Sequence, residues 1–189
     1  MRDPQDSYYV YRLTMGSHVQ TGLVAAASVE AYDADRIKKH EFTRPVKEDD
    51  RVRQVEALNA QTGPVFLVYK ANQVVDDILA ATSQQAADVD VTANDGVRHE
   101  IWVLSDADKV AALTEAFDDM DAIYVADGHH RSAAGSRVGN SQKAANPSHT
   151  GNESYNYFLS VIFPHDQMQI LDYNRVVKDL HGMSEQAFL

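Results

Sequence analysis

AIYVADGHHRSAAGSRVG, residues 122 to 139, is the stretch from which the expected fold can be built outward. Apolar-biased residues lead up to Asp127 and predict a strand. Gly128 then marks a tight turn, because glycine permits a positive φ and a close approach of the backbone to a ligand. The small residues that follow predict a helix that begins at Gly128 and continues to about Gly139. The stretch therefore predicts a strand, a turn and a helix, with two adjacent histidines and an arginine in the turn.

The flanking sequence predicts further strands and helices. The predicted strands form two hairpins and three single strands: a hairpin at 7–15 and 18–29, strands at 65–70, 98–104 and 122–127, and a hairpin at 155–163 and 168–174. The other predicted helices have apolar residues at helical spacing or typical end signals: 31–40 with a cationic last turn, a helix from Pro45 to before Gly63 with Val52, Val55 and Leu58 on one face, 73–83, and 105–120 capped by Ser105.

These elements predict one mixed α/β (α+β) domain with a mixed sheet over residues 1–189. Residues 84–97 give no clear signal, and residues 141–153 have loop composition throughout. The closing MSEQAFL predicts the start of a helix that the chain does not finish. From that ending and the abrupt start we expect an internal fragment of a longer protein, truncated at one or both ends.

Composition restricts the classes of function. Hydrophobic residues make up 44% and charged residues 24%, which is typical of a globular protein with a core. No apolar run approaches the roughly 18 residues that span a bilayer, and the polar first residues do not resemble a secretory signal. The sequence has no cysteine, which excludes disulfides, thiolate chemistry and cysteine-ligated metal and favours a cytoplasmic location.

The charge balance bears on partners. A formal net charge of −11 repels polyphosphate backbones, so we expect no nucleic-acid partner and no membrane. A local basic pocket for a small anion is compatible with this surface, and a small-molecule substrate is the expected partner. The oligomeric state is left open.

The residues around the turn suit anion binding. The first turn of a helix presents unpaired N–H groups and the positive end of the macrodipole. Arg131 adds a planar fork of donors that matches phosphate or carboxylate. His129 and His130 are neutral donors or acceptors near pH 7, and Asp127 is suited to orient a histidine, hold a metal ion or accept a substrate proton. The alternative is a purely structural turn in which the histidines cap a helix.

A resident metal is disfavoured by the spacing of the histidines. Adjacent helical residues point about 100° apart, and the i, i+4 spacing of paired zinc ligands is absent. A magnesium ion carried by a nucleotide, held partly by Asp127, fits better. A second charged cluster, residues 38–51, includes His40, Glu41 and Arg44, and by itself is interpreted as a solvated surface.

Three motifs in order resemble a known family over nearly the whole chain. KKHEFTRPVKEDDR, ALNAQTGPVFLVY and YVADGHHRSAA are similar to uncharacterised bacterial and archaeal proteins of the domain-of-unknown-function kind, whose members are longer. The DGHHR string in turn resembles the strand–turn–helix site of the ParB and sulfiredoxin-like superfamily, most of all its free-serine kinases. The cysteine of the sulfiredoxins is absent, so their reductase chemistry is not expected here.

This resemblance implies roles for individual residues. Gly128, His129, His130 and Arg131 would cradle nucleotide phosphates, with Asp127 at the reacting or metal-binding edge. One of the two histidines would act in catalysis by hydrogen-bonding the transferred group. No second motif aligns with the kinases, so Glu41 is assigned as general base only as a working hypothesis. We also expect Ser132 and Arg44 to contact the cofactor.

The expected function is nucleotide binding. The chain is predicted to bind a nucleoside di- or triphosphate with Mg²⁺ and to act as a phosphotransferase on a small hydroxylated metabolite. One alternative is a non-catalytic nucleotide-binding switch. Another is a metal-dependent hydrolase built on Asp127, His129 and the pair His40 and Glu41.

Overall fold

The computed structural model describes residues 3–189 and is built around a mixed sheet. Its strands are β1 (Tyr8–Met15), β2 (His18–Ser28), β3 (Ile37–Lys38), β4 (Val65–Tyr69), β5 (Val89–Thr92), β6 (Arg98–Leu104), β7 (Ile123–Asp127) and β8 (Tyr157–Pro164). Its α-helices are α1 (Val29–Asp33), α2 (Pro45–Leu58), α3 (Gln73–Thr82), α4 (Ala107–Asp118), α5 (His129–Ala145) and α6 (Glu185–Phe188). This confirms the predicted mixed α/β class.

The strands form one eight-stranded sheet in the order β3-β7-β4-β8-β2-β1-β6-β5. β1 and β2 form the predicted hairpin, which turns at Gly16 with φ +60° and lies in the middle of the sheet. β8 pairs antiparallel with β2 and parallel with β4. β7 pairs antiparallel with β4, so β7 ends where β4 and β8 begin.

Alternating strand residues and two helices form the core. Val10, Leu23 and Leu67 are fully buried and belong to one cluster with residues of α3 and α4, among them Val75 and Leu113. Strand side chains alternate between faces, so every second residue of these strands faces the two helices. Helix α5 packs instead against α1, α2 and the first residues of β8. The end of β7 and the start of α5 therefore lie at one end of the sheet.

The predicted helix at 31–40 is wrong beyond its first residues. Helix α1 ends at Asp33, and Asp35 has a left-handed φ of +59°, which breaks the helix. The cationic stretch is then extended. Ile37 is buried and pairs parallel with Ile123 of β7, so burial in the sheet overrides the local helix signal.

Two details of the other predicted helices also differ. The side chain of Asp106, not Ser105, accepts the amide hydrogen bonds that cap α4. Helix α5 continues to Ala145, so the first residues of the predicted loop at 141–153 are helical. Gly139 does not end the helix. A Cβ at that position would lie 2.5 Å from the Tyr155 carbonyl oxygen, so the glycine serves close packing.

The predicted second hairpin is half right. Its first strand is β8, but no strand is found between 168 and 174. Ile170 and Tyr173 are 93% and 84% exposed, so their apolar side chains have no neighbouring strand or core to pack against. The unassigned stretch 84–97 contains β5, an exposed edge strand on β6. Within residues 3–189, no helix has the length and apolar character needed to cross a membrane.

Candidate functional site

The site is centred on the turn between β7 and α5. Gly128 has φ +96°, a conformation that side-chain-bearing residues rarely adopt. The amides of Arg131 and Ser132 donate to the Gly128 carbonyl at 2.8 and 2.9 Å. The amides of His129 and His130 precede this first helical bond, so no carbonyl of the helix is available to them. The turn thus presents amide donors at the positive end of a 17-residue helix.

The two adjacent histidines hold one segment of backbone. The His40 amide donates to Nε2 of His129 at 3.4 Å, and the Arg44 amide donates to Nε2 of His130 at 3.1 Å. Neighbouring helical side chains diverge by about 100°, which lets the two rings reach the two ends of residues 40–44. We call these two hydrogen bonds the histidine clasp. It requires that Nε2 of each ring carries no proton, because a backbone amide is only a donor.

His129 is buried in the clasp. Its side chain is 4% exposed, and the ring of His40 packs edge-on at a centroid distance of 4.4 Å. Burial, followed by the charge of a protonated His40, lowers the pKa of His129 below its ordinary value, while nearby Glu41 and Asp127 oppose that shift. The Nδ1 atom lies 3.6 Å from a carboxylate oxygen of Glu41. His129 is therefore neutral near pH 7, as the clasp requires.

Arg131 is held by the two strand ends beneath it. Its guanidinium forms an ion pair with Asp127 at 2.6 Å and donates a hydrogen bond to the carbonyl of Pro64. Gly63 leaves room for the arginine, since a Cβ there would lie 3.3 Å from Nη1 of Arg131. The side chain is 37% exposed, so part of the planar group faces solvent.

These groups line one open cavity of about 880 Å³ between α5, α2 and the residues before β4. This volume is within the range of small-molecule and cofactor sites. Cationic side chains come from both helices: Arg131 from α5, and Lys47, Arg51 and Arg53 from α2. The carboxylates of Glu41, Asp50 and Asp127 lie on the same walls.

Six of the predicted site residues lie on this cavity, and two do not. Asp127, Gly128, His129, His130, Arg131 and Glu41 line it. Ser132 is fully buried, and its hydroxyl donates to the His129 carbonyl at 3.1 Å, so it faces the protein interior. Arg44 touches the site through its backbone amide, while its exposed side chain is not among the lining residues.

Residues 38–51 are mostly exposed, as that interpretation expects, but the segment is also part of the site. The segment is docked on the turn by the clasp, and Arg137 of α5 pairs with Glu48 and Asp49 at 2.8 Å each. The sequence does not show that α2 supplies cationic side chains to this cavity, because contacts between residues 80 to 90 positions apart leave no local pattern. One signal was present: Lys47 and Arg51 are four residues apart and share a helix face.

The geometry also bears on metal binding. Within residues 3–189, no group of three or more histidine or acidic side chains is placed to hold a metal ion. Asp127, the predicted metal ligand, is engaged with Arg131. The chain alone thus provides one carboxylate at the turn rather than a complete coordination shell.

The comparisons with known proteins agree with the family resemblance. No curated protein and no solved structure matches the chain. A family model described as a protein of unknown function, DUF1015, matches residues 1–189, which confirms the expected kind of family. The chain belongs to the DUF1015 family.

Proposed function

We propose that this protein binds a nucleoside di- or triphosphate in the cavity and transfers a phosphoryl group to a small hydroxylated metabolite. The observation that carries the proposal is that Arg131 and the first turn of α5 line the same cavity. Unpaired amides at a helix N-terminus attract anions. An arginine fork beside them adds charge-assisted hydrogen bonds to phosphate oxygens.

The similarity of the DGHHR turn to the ParB and sulfiredoxin-like superfamily supports this assignment. In those relatives a glycine, histidine and arginine turn binds nucleotide phosphates. The positive φ of Gly128 supports the same use here, because it lets the chain turn from the end of β7 directly into α5. The absence of cysteine supports a reducing, cytoplasmic setting for the activity.

Magnesium fits as an ion brought by the nucleotide, not as a resident one. Asp127 is the carboxylate beside Arg131 and would supply one oxygen ligand, since Mg²⁺ usually binds one or two carboxylates plus phosphate oxygens. When bound, the ion neutralises phosphate charge. Asp127 also holds Arg131 in place, so the same carboxylate would serve both the arginine and the magnesium ion.

Phosphoryl transfer requires mainly positioning and charge stabilisation. Arg131 and the turn amides would supply the charge stabilisation. Glu41 is exposed on the cavity wall and is the candidate that would accept the proton of the acceptor hydroxyl. His129 is a positioning residue in this scheme, because it is buried and fastens the segment that carries Glu41.

A non-catalytic nucleotide switch is the second candidate. It is favoured by the histidine clasp, which couples the turn to residues 40–44 and thereby to the start of α2. A ligand that binds the turn would then change the position of α2. The metal-dependent hydrolase has no comparable support, because the described residues assemble no set of three metal ligands.

The experiment is a calorimetric titration of ATP, ADP and CTP with magnesium. We expect saturable binding by the wild type and its loss in Arg131→Ala. Arg98→Ala is the matched control. Arg98 of β6 forms an equally short 2.6 Å ion pair with Asp90, and it does not line the cavity. No binding by the wild type would refute the proposal. Product analysis with hydroxylated acceptors then separates transfer from a switch, which binds without transferring.

A further inference from the structure

We infer that α2 supplies a second anion subsite, in which Lys47 and Arg51 contact the terminal phosphate of a di- or triphosphate. The inference rests on the proposed function and specifies its ligand. It assigns the inner phosphate to the turn of α5 and the outer phosphate to α2. A monophosphate would then fill only part of the site.

The two α2 residues share a helix face and line the cavity with Arg131. Lys47 and Arg51 are four residues apart, so their side chains lie above one another on the helix. Both precede Gln54, which lines the same cavity one turn further on. Lys47, Arg51 and Gln54 therefore form a polar strip along α2, with the carboxylate of Asp50 also on this wall.

Charge pairing differs between the two ends of the cavity. Arg131 is balanced by Asp127 at 2.6 Å. Within residues 3–189, Lys47 forms no ion pair: no carboxylate oxygen lies within 4 Å of its amine. Arg51 donates to Gln54 at 2.7 Å, while its contact with Asp50 is long, at 3.8 Å. Arg53 of α2 pairs with Asp50 at 3.5 Å, so Lys47 and Arg51 are the least neutralised cations of the cavity.

This surplus of positive charge at Lys47 and Arg51 is unusual for this chain. The formal net charge is −11, so an unbalanced cation on a cavity wall is a local feature and not a reflection of the whole surface. A phosphate held only at α5 would leave Lys47 unpaired. A second or third phosphate would neutralise Lys47 and form charge-assisted hydrogen bonds with Arg51.

The separation of the two subsites is fixed by the contacts between the helices. Glu48 and Asp49, on the turn of α2 that carries Lys47, both bind Arg137 of α5 at 2.8 Å. The histidine clasp holds the segment before α2 at Arg44. A preorganised pair of subsites favours ligands of matching length. The cavity should therefore discriminate by the number of linked phosphates.

The test titrates inorganic phosphate, diphosphate and triphosphate into four proteins by calorimetry without magnesium. The proteins are the wild type, Arg131→Ala, the double variant Lys47→Ala/Arg51→Ala, and the double variant Arg98→Ala/Lys109→Ala. The last removes the same two residue types from positions on β6 and α4 that do not line the cavity. Circular dichroism checks that each variant is folded.

We expect wild-type affinity to rise with the number of phosphates. The Lys47→Ala/Arg51→Ala variant should bind triphosphate about tenfold or more weakly, with phosphate affinity unchanged. Arg131→Ala should weaken all three ligands, and the control variant none. Wild-type binding of triphosphate that survives intact in the α2 variant would overturn this inference but leave the proposed function standing. Absence of any binding by the wild type would also overturn this inference, and absence of nucleotide binding in the titration with magnesium would overturn the proposed function.

Discussion

His130 and Arg44 lie 86 positions apart in the sequence and are joined by a hydrogen bond of 3.1 Å from the Arg44 amide to the Nε2 atom of the histidine. With the matching bond from His40 to His129, it explains why two histidines stand side by side. Each ring holds one end of residues 40–44. The two histidines therefore have a structural role: they hold residues 40–44 against the turn that lines the cavity.

Replacing His130 by alanine should loosen the segment before α2. The Arg44 amide would lose its acceptor, which costs about 1 kcal/mol of unfolding free energy. We expect faster hydrogen–deuterium exchange of that amide. His18→Ala is the control, because His18 bonds the side chain of Gln20 beside the β1–β2 turn and does not line the cavity. Unchanged protection at Arg44 would show that the clasp does not order the segment.

The stability of the protein should fall in mild acid because of His129. Its pKa is lower in the folded protein than the ordinary 6.5, chiefly through burial, so the unfolded chain binds the proton more readily. The folded state therefore loses stability as the pH falls below about 6.5 towards the folded pKa. Urea titrations at several pH values should show this loss.

The control for this pH effect is His129→Gln, which keeps a hydrogen-bond acceptor but does not titrate. We expect a shallower loss of stability with falling pH in this variant. The other titratable groups around the ring, His40, Glu41, Asp127 and His130, are unchanged in both proteins. Parallel pH profiles for the two proteins would contradict the assignment to His129.

Gly128→Ala should impair both stability and phosphate binding. Alanine at φ +96° is strained by roughly 1–3 kcal/mol, and its Cβ would lie 3.1 Å from Nε of Arg131. Gly96→Ala separates these effects, because Gly96 has φ +85° and open space around it. Thermal melts should show a loss in both variants. Loss of triphosphate affinity is expected only in Gly128→Ala, and an equal loss in Gly96→Ala would argue against a local effect.

Asp127→Asn distinguishes the two roles of that carboxylate. We expect weaker binding of ATP in the presence of magnesium, because one oxygen ligand loses its charge. Without magnesium the affinity should change less or rise, since a negative charge beside the phosphates has been removed. Calorimetry under both conditions provides the comparison. The same change in both would mean that Asp127 serves only to hold Arg131.

Local sequence patterns identified most of the regular elements. The β1–β2 hairpin, β4, β6, β7 and the start of α5 follow from turn residues and apolar periodicity, which act over a few residues. The predicted elements are wrong where contacts between residues distant in sequence determine the local structure. Ile37 joins the sheet because β7 lies beside it, and Gly139 lies inside α5, where the nearby Tyr155 carbonyl leaves no room for a side chain. Neither partner is visible from the neighbouring residues.

The sequence by itself determined the mixed α/β class, the strand–turn–helix at Asp127 to Arg131, and the family. These depend on local conformational preference and on a motif that is continuous along the chain. Only the tertiary structure decided that residues 40–44 dock on that turn, and that Lys47 and Arg51 line the same cavity as Arg131. The physical reason is that a site made by α2 and α5 exists only once the sheet and the histidine clasp have brought the two helices together.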